Sequence, residues 1–186
     1  MKEETLESKL IFEGKVIKVH VDKVRLPDGN IGEREIVERI DGVGVLPITR
    51  DYNVLLIKQY RHAQNKIIWR IPGGGIDSTD KTPVETAQRE LFEEVGYKAK
   101  NIELLFESGG SGTIKQTVYH YLATGLYMPK EERICDEQEF LEIHPICLNE
   151  AVRMAKNAEF PNPAFSLMII MAEERLKKEY ADYPHL

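Results

Sequence analysis

The sequence has little cysteine, with only two such residues among its 186. Cys135 and Cys147 match neither a CxxC pair nor the spacing of zinc ligands. We therefore expect reduced, structural thiols, as in a cytoplasmic protein.

The sequence also lacks a long apolar run. No stretch approaches the ~20 apolar residues that a membrane-spanning helix needs. The first ten residues, MKEETLESKL, carry charges of both signs. They do not fit a signal peptide, which begins with basic residues and continues with an apolar core. These features predict a cytoplasmic protein with no membrane association.

Positive charge is not in excess either. The chain carries 25 Lys and Arg against 31 Asp and Glu, a formal charge of −6. Such a balance argues against nucleic acid as a partner, because Lys and Arg provide the sequence-independent part of that binding. The 42% of hydrophobic residues is ordinary for one globular domain, with or without a small appendage.

Alternating apolar and polar residues predict strands over much of the chain. The predicted strands are residues 15–26 with a bulge or bend, 31–40, 42–48, 54–59, 102–107, 117–126 and 140–146. The first two form a hairpin around the turn at 27–30, and the next two form a second hairpin around 50–53.

The clearest helix signal follows the glycine-rich loop at 72–75. Thr82 is an N-cap, Pro83 suits the first helical position, Glu85 completes a capping box and Gly96 stops the helix. These residues predict a helix from Pro83 to Val95. Two more helices are expected, one after Asn149 and one over 164–180.

Apolar spacing indicates which helix faces are buried. In the first helix the predicted core stripe is Val84, Ala87, Leu91 and Val95. In the last helix it is Phe165, Met168, Ile169, Ala172 and Leu176. Strands outnumber helices, which favours a mixed sheet with helices packed on it.

Three glutamates lie beside the stripe of the first helix. Glu90, Glu93 and Glu94 share one arc near the helix C-terminus, where like charges repel and the helix dipole disfavours anions. One interpretation is a solvated acidic face. The other is a site for Mg²⁺ or Mn²⁺, cations that prefer carboxylate oxygens.

Residues 89–97, RELFEEVGY, resemble the second half of the Nudix box, GX5EX7REUXEEXGU. The segments IVERIDGVGVLPI and VLLIKQYR, with the N-terminal hairpin, resemble the group of ADP-ribose and nucleoside diphosphate sugar pyrophosphatases. The resemblance implies an α+β fold, a Nudix-like α/β/α sandwich with a mixed sheet, preceded by an N-terminal antiparallel β-hairpin region. It implies residues 1–40 as a dimerisation region and 41–186 as the Nudix hydrolase domain.

The first half of the box departs from the pattern. Either Gly75 pairs with Lys81 in place of the expected Glu, or Gly74 pairs with Asp80 after a one-residue insertion. We favour the insertion, because Asp80 then supplies a carboxylate for the family's ion pair with Arg89.

The resemblance also implies an active site. It assigns Glu90 and Glu94 as chief ligands of Mg²⁺ or Mn²⁺, with Glu93 and the backbone of Gly74 assisting. Arg89 would anchor the loop, and Glu93 and Arg89 belong to the catalytic set.

Candidates outside the box are less specific. Glu137 resembles a general base and Glu139 a further metal ligand, although both also suit a solvated acidic loop. Arg61 resembles a phosphate-binding arginine, with a surface ion pair as the alternative. Arg34, Glu35 and Arg39 would contact substrate across a homodimer, with a solvated strand face as the alternative.

The expected reaction is metal-dependent hydrolysis of the pyrophosphate bond of ADP-ribose or a related nucleoside diphosphate sugar. It would give a nucleoside monophosphate and a sugar phosphate. Residues 70–74 and 108–113 depart from the ADP-ribose group. A hydrolase of nucleoside triphosphates or dinucleotides, or a non-catalytic nucleotide-sugar-binding module, therefore stays open.

Overall fold

The computed structural model describes residues 1–110, 112–133 and 140–179. The chain divides into two compact units. The first is Met1–Gly42 with Ser108–Val118, and the second is Val43–Glu107 with Tyr119–Leu186.

The first unit is a four-stranded sheet in the order β1-β2-β3-β8. Its strands are β1 (Glu4–Glu13), β2 (Ile17–Arg25), β3 (Ile31–Arg39) and β8 (Ile114–Lys115). β1, β2 and β3 pair antiparallel, whereas β8 runs parallel to β3. The sequence prediction missed β1, because its charged residues hide the alternation.

The predicted hairpin of β2 and β3 is confirmed. Gly29 has φ +89°, a left-handed conformation that glycine adopts at little cost. Asp28 closes the turn by accepting a hydrogen bond from the backbone N–H of Asn30 at 3.0 Å. The β2–β3 register has no shift, so the irregularity predicted for residues 15–26 is wrong; the register shifts lie between β1 and β2.

The second unit holds three helices and most of two three-stranded sheets; three of the strands begin or end one or two residues inside the segments of the first unit. One sheet has the order β10-β5-β6 and the other β4-β9-β7. The strands are β4 (Gly42–Pro47), β5 (Asn53–Arg61), β6 (Lys66–Arg70), β7 (Lys98–Gly109), β9 (Thr117–Tyr127) and β10 (Leu141–Cys147). The helices are α1 (Pro83–Val95), α2 (Leu148–Lys156) and α3 (Pro163–Glu179), and a 3-10 turn spans His62–Gln64.

The second predicted hairpin is wrong. β4 and β5 belong to different sheets, and an isolated antiparallel bridge joins Ile48, just after β4, to Val54. Both segments are short apolar runs near a turn, a pattern that does not reveal which partner each strand takes. β6 was also missed.

Neighbouring residues of β4 and β9 pack into two different cores. Val45 and Tyr121 lie in one buried cluster with α1, whereas Leu46 and Leu122 lie in the other with α2 and α3. Because successive side chains of a strand point to opposite faces, the sheets lie between α1 and the other two helices. The α/β/α arrangement is confirmed for this unit.

The core faces of the helices follow the predicted stripes with one exception. In α3, Met168, Ile169, Ala172 and Leu176 are buried, and Phe165 is partly buried against the same core. In α1, Ala87, Leu91 and Val95 are buried, but Val84 is 42% exposed. Val84 lies in the first turn, where it is one of the exposed large hydrophobic residues of the chain.

No helix in the described ranges has the length and apolar character needed to cross a membrane.

Candidate active site

Helix α1 has the ends that the sequence predicts. The Thr82 hydroxyl accepts a hydrogen bond from the backbone N–H of Glu85 at 3.2 Å, and Gly96 ends the helix with φ +78°. The Glu85 carboxylate accepts from the backbone N–H of Lys81, one residue before the N-cap. These caps set where the glutamates of the last two turns lie.

The three glutamates differ in burial. The Glu94 side chain is 3% exposed and that of Glu90 is 12% exposed, whereas that of Glu93 is 35% exposed. A solvated acidic face would leave all three open to water. The acidic arc is therefore turned partly into the protein.

Arg89 balances two of these charges. Its Nη1 lies 2.8 Å from Glu90 Oε1 and 2.8 Å from Glu93 Oε2. Its Nη2 lies 3.0 Å from Asp80 Oδ2 and donates to the backbone carbonyl of Gly75 at 3.2 Å. The ion pair with Asp80, favoured from the sequence as the insertion register of the box, is confirmed, and Arg89 anchors the loop.

This network shifts the pKa of its members. Hydrogen bonds from Arg89 lower the pKa of Asp80 below its usual value. Burial opposes the charge of Arg89, but the hydrogen bond with Asp80 and the charges of Glu90 and Glu93 raise its pKa overall. Both groups are therefore charged at neutral pH.

Glu94 has a different partner, Arg70 at the end of β6. Arg70 Nη2 lies 2.7 Å from Glu94 Oε1, and the two side chains are 7% and 3% exposed. Arg70 also donates to Gln59 Oε1 at 2.7 Å and to the carbonyl of Gly73 at 2.6 Å. The backbone N–H of Gly73 donates to Glu94 Oε2 at 2.8 Å, which closes the network.

The sequence analysis missed Arg70 and Gln59 as site residues. The signal that could have found Arg70 is its place between Trp69 and Ile71 in an apolar segment. An arginine buried among apolar residues needs a paired acid. That acid lies far along the chain, so local spacing does not identify it.

The glycine loop lies against both the helix and β4. A Cβ atom added at Gly73 would lie 2.2 Å from the Val43 carbonyl oxygen, and one added at Gly74 would lie 2.3 Å from Glu90 Oε1. The carbonyl of Gly74 accepts a hydrogen bond from the N–H of Val43 at 2.9 Å. Only glycine allows this approach of the loop backbone to the Glu90 carboxylate.

The carboxylates face arginines rather than one another. Within the described residues, no group of three or more His, Cys, Asp or Glu side chains is placed to hold a metal ion. The repulsion that the sequence predicts among the glutamates is thus relieved by Arg89 and Arg70. A cation would have to draw these carboxylates away from the guanidinium groups.

The other predicted site residues are placed as follows. Arg61 is exposed at the end of β5. Arg34, Glu35 and Arg39 are exposed on β3 in the first unit, and Arg34 forms an ion pair with Glu3. Glu35 and Arg39 share one sheet face and Arg34 lies on the other, because strand residues alternate. Glu137 and Glu139 lie outside the described residues.

Comparison with known proteins accounts for both units. Residues 3–37 match the nucleoside diphosphate sugar hydrolase N-terminal domain, and residues 38–167 match the NUDIX domain. A crystal structure described as an ADP compounds hydrolase has the same fold, with a TM-score of 0.82, 96% coverage of each chain and 22% identity.

Several relatives align over most of the chain. The ADP-ribose pyrophosphatase of Bacillus subtilis (strain 168) is 32% identical, with 96% of this chain and 98% of that protein covered. The methanol dehydrogenase activator of Bacillus methanolicus is 33% identical, with 94% and 96% covered. The ADP-ribose pyrophosphatase of Mycobacterium tuberculosis is 31% identical, with 86% and 77% covered. With the box on α1 and a domain match across most of its length, the chain belongs to the Nudix family.

Proposed function

We propose that this Nudix protein is a metal-dependent hydrolase of the pyrophosphate bond in ADP-ribose or a related nucleoside diphosphate sugar. The products are a nucleoside monophosphate and a sugar phosphate. The observation that carries the proposal is the contact of Glu90 and Glu94 with the glycine loop that precedes α1. The N-terminal domain match and two relatives named ADP-ribose pyrophosphatase support the substrate class.

Nudix hydrolases need a divalent cation, and the donor chemistry of this site fits one. Carboxylate and backbone carbonyl oxygens are the ligands that Mg²⁺ and Mn²⁺ prefer. Gly74 has no side chain that would keep the loop backbone away from Glu90. We propose Glu90, Glu93, Glu94, Glu139 and the carbonyl of Gly74 as the holders of the ion, with Mg²⁺ as the physiological metal.

When bound, such an ion neutralises phosphate charge and lowers the pKa of a coordinated water. Side chains of the protein accept the proton, bind the substrate and anchor the loop. Glu137 accepts the proton of the attacking water, and Arg61 pairs with a phosphate oxygen of the substrate. Arg89 anchors the loop through its contacts with the Asp80 carboxylate and the Gly75 carbonyl.

Two further features complete the proposal. The protein is a homodimer in which Arg34, Glu35 and Arg39 bind substrate. The homodimer is supported by β1, an edge strand of the first unit with every residue exposed, which leaves a surface for a second copy. The free, exposed thiol of Cys147 fits a reducing compartment, and we propose the cytoplasm.

The test is a turnover screen with product analysis. ADP-ribose, other sugar nucleotides, dinucleotides and nucleoside triphosphates are each incubated with Mg²⁺ or Mn²⁺, and the products are separated by chromatography. We expect AMP and ribose 5-phosphate from ADP-ribose, and no turnover after chelation of the metal. Glu90→Gln should lower kcat by about 10²-fold or more, the scale of losing one key charge-stabilising group.

Glu85→Gln is the matched control on the same helix, because glutamine still accepts the capping hydrogen bond. Turnover of triphosphates or dinucleotides alone would refute the substrate class and leave the hydrolase class. Nucleotide-sugar binding without turnover by wild type would identify the chain as a non-catalytic module.

A further inference from the structure

The buried ion pair of Arg70 and Glu94 differs from the other ion pairs at the site. Arg70 is fixed from three sides, by Glu94 Oε1, Gln59 Oε1 and the Gly73 carbonyl, all within 2.7 Å. Gln59 is itself only 8% exposed. A buried guanidinium cannot leave such partners without a large desolvation cost.

Arg89 is less constrained. Its side chain is 30% exposed, and it has two partners outside the glutamate cluster, the Asp80 carboxylate and the Gly75 carbonyl. If a cation takes Glu90 and Glu93, Arg89 keeps these two partners. Arg70 has no comparable acidic alternative among its contacts described above.

The net charge of the site also bears on cation binding. Asp80, Glu90, Glu93 and Glu94 carry four negative charges, and Arg70 and Arg89 carry two positive charges. Arg133, which donates to the backbone carbonyls of Glu93 and Glu94, adds a third positive charge, so the site keeps a net negative charge that favours a cation. A cation that engages Glu94 does so beside the fixed positive charge of Arg70, in a poorly hydrated place where charges interact strongly.

We propose that Arg70 is a positioning residue that competes with the divalent cation for Glu94 and thereby weakens metal binding. It holds the Glu94 carboxylate toward Gly73 and the glycine loop. This inference rests on the proposed function, because it requires that the site takes a divalent cation.

The test measures binding of Mn²⁺ alone by the electron paramagnetic resonance signal of the free ion, at fixed pH and salt. Arg70→Gln should bind Mn²⁺ about tenfold more tightly than wild type, because the competing charge is lost. In a Glu94→Gln background the same change should raise the affinity by about threefold or less, since the carboxylate under competition is absent and only the through-space repulsion by Arg70 is removed. A merely structural role for Arg70 does not predict tighter binding.

Circular dichroism and thermal unfolding show whether each variant folds. If Arg70→Gln does not fold, the comparison of Glu94→Gln with the double variant decides, because its two neutral amides leave no buried charge unpaired. If the double variant binds Mn²⁺ about tenfold or more tightly than Glu94→Gln, the inference is overturned, because Arg70 then acts without Glu94. A difference of about threefold or less supports it.

The outcomes separate the two proposals. Wild type that binds no Mn²⁺ overturns the metal-dependent function and this inference with it. Mn²⁺ binding by wild type that Arg70→Gln weakens or leaves unchanged overturns this inference alone.

Discussion

At the residue scale, charged and titratable side chains lie in the core of the second unit. Glu94 and Arg70 are buried as a pair, so each reduces the penalty of burying the other. His120 on β9 is also buried, at 1% exposed, and its ring stacks on Phe106 with centroids 4.5 Å apart. Burial lowers the pKa of His120 to about 4.

The pKa of His120 predicts how stability depends on pH. In the unfolded chain this imidazole takes up a proton near pH 6.5, whereas the folded protein resists protonation until about pH 4. The unfolded state therefore binds more protons in this window, and the free energy of unfolding falls as pH falls. Between pH 7.5 and pH 5 the contribution is about 2 kcal/mol.

His120→Gln should reduce this fall by about 2 kcal/mol, because the titrating group is gone. Urea unfolding of both proteins at pH 7.5 and pH 5 measures the difference. The values at pH 7.5 serve as the control for any packing cost of the substitution. Parallel pH dependence in the two proteins would contradict the prediction.

At the element scale, α1 is defined by local signals. At its N-terminus the Thr82 hydroxyl accepts from the backbone N–H of Glu85, and at its C-terminus the left-handed Gly96 donates its N–H to the Phe92 carbonyl. Arg133 donates to the carbonyls of Glu93 and Glu94 at 2.9 Å and 2.6 Å, a contact across the fold at the same end. Positive charge at a helix C-terminus also offsets the unfavourable position of the two glutamates.

Thr82→Ala should lower the free energy of unfolding by about 1 kcal/mol, because the N–H of Glu85 loses its capping acceptor. Thr82→Ser keeps the hydroxyl and should remain within about 0.5 kcal/mol of wild type. Denaturant unfolding at neutral pH measures both. Equal losses in the two variants would show that the methyl group, and not the cap, carries the effect.

At the scale of the whole molecule, the first unit has little core of its own. Among its described residues only Val24 belongs to the buried apolar set. Apolar side chains of β1 lie open instead, with Leu10 47%, Ile11 54% and Phe12 52% exposed. A small sheet with an exposed apolar edge strand is typical of a surface that another chain covers.

Phe12→Glu should shift a homodimer toward the monomer, because the substitution places a charge on this strand. Sedimentation velocity of wild type and variant at micromolar concentration measures the change. Leu167→Glu, at a 46% exposed position of α3, is the control and should sediment as wild type does. A wild-type protein that sediments as a monomer would refute the homodimer itself.

The amino-acid sequence by itself determined the features that depend on near neighbours. The limits of α1, the turn at Gly29 and the stripe of α3 follow from caps, turn residues and periodic spacing within a short segment. The ion pair of Asp80 with Arg89 follows instead from the resemblance to the Nudix box. The Nudix box is equally local, and it sufficed to predict the family.

The tertiary structure alone decided the features that depend on distant segments. β4 and β5 take partners in different sheets, and Arg70 reaches Glu94 from the end of β6. Backbone hydrogen bonds are the same for every strand, and a buried charge accepts any opposite charge that the fold brings near. The sequence of a segment therefore shows that a strand or a buried charge needs a partner, but only the tertiary structure determines which residues provide it.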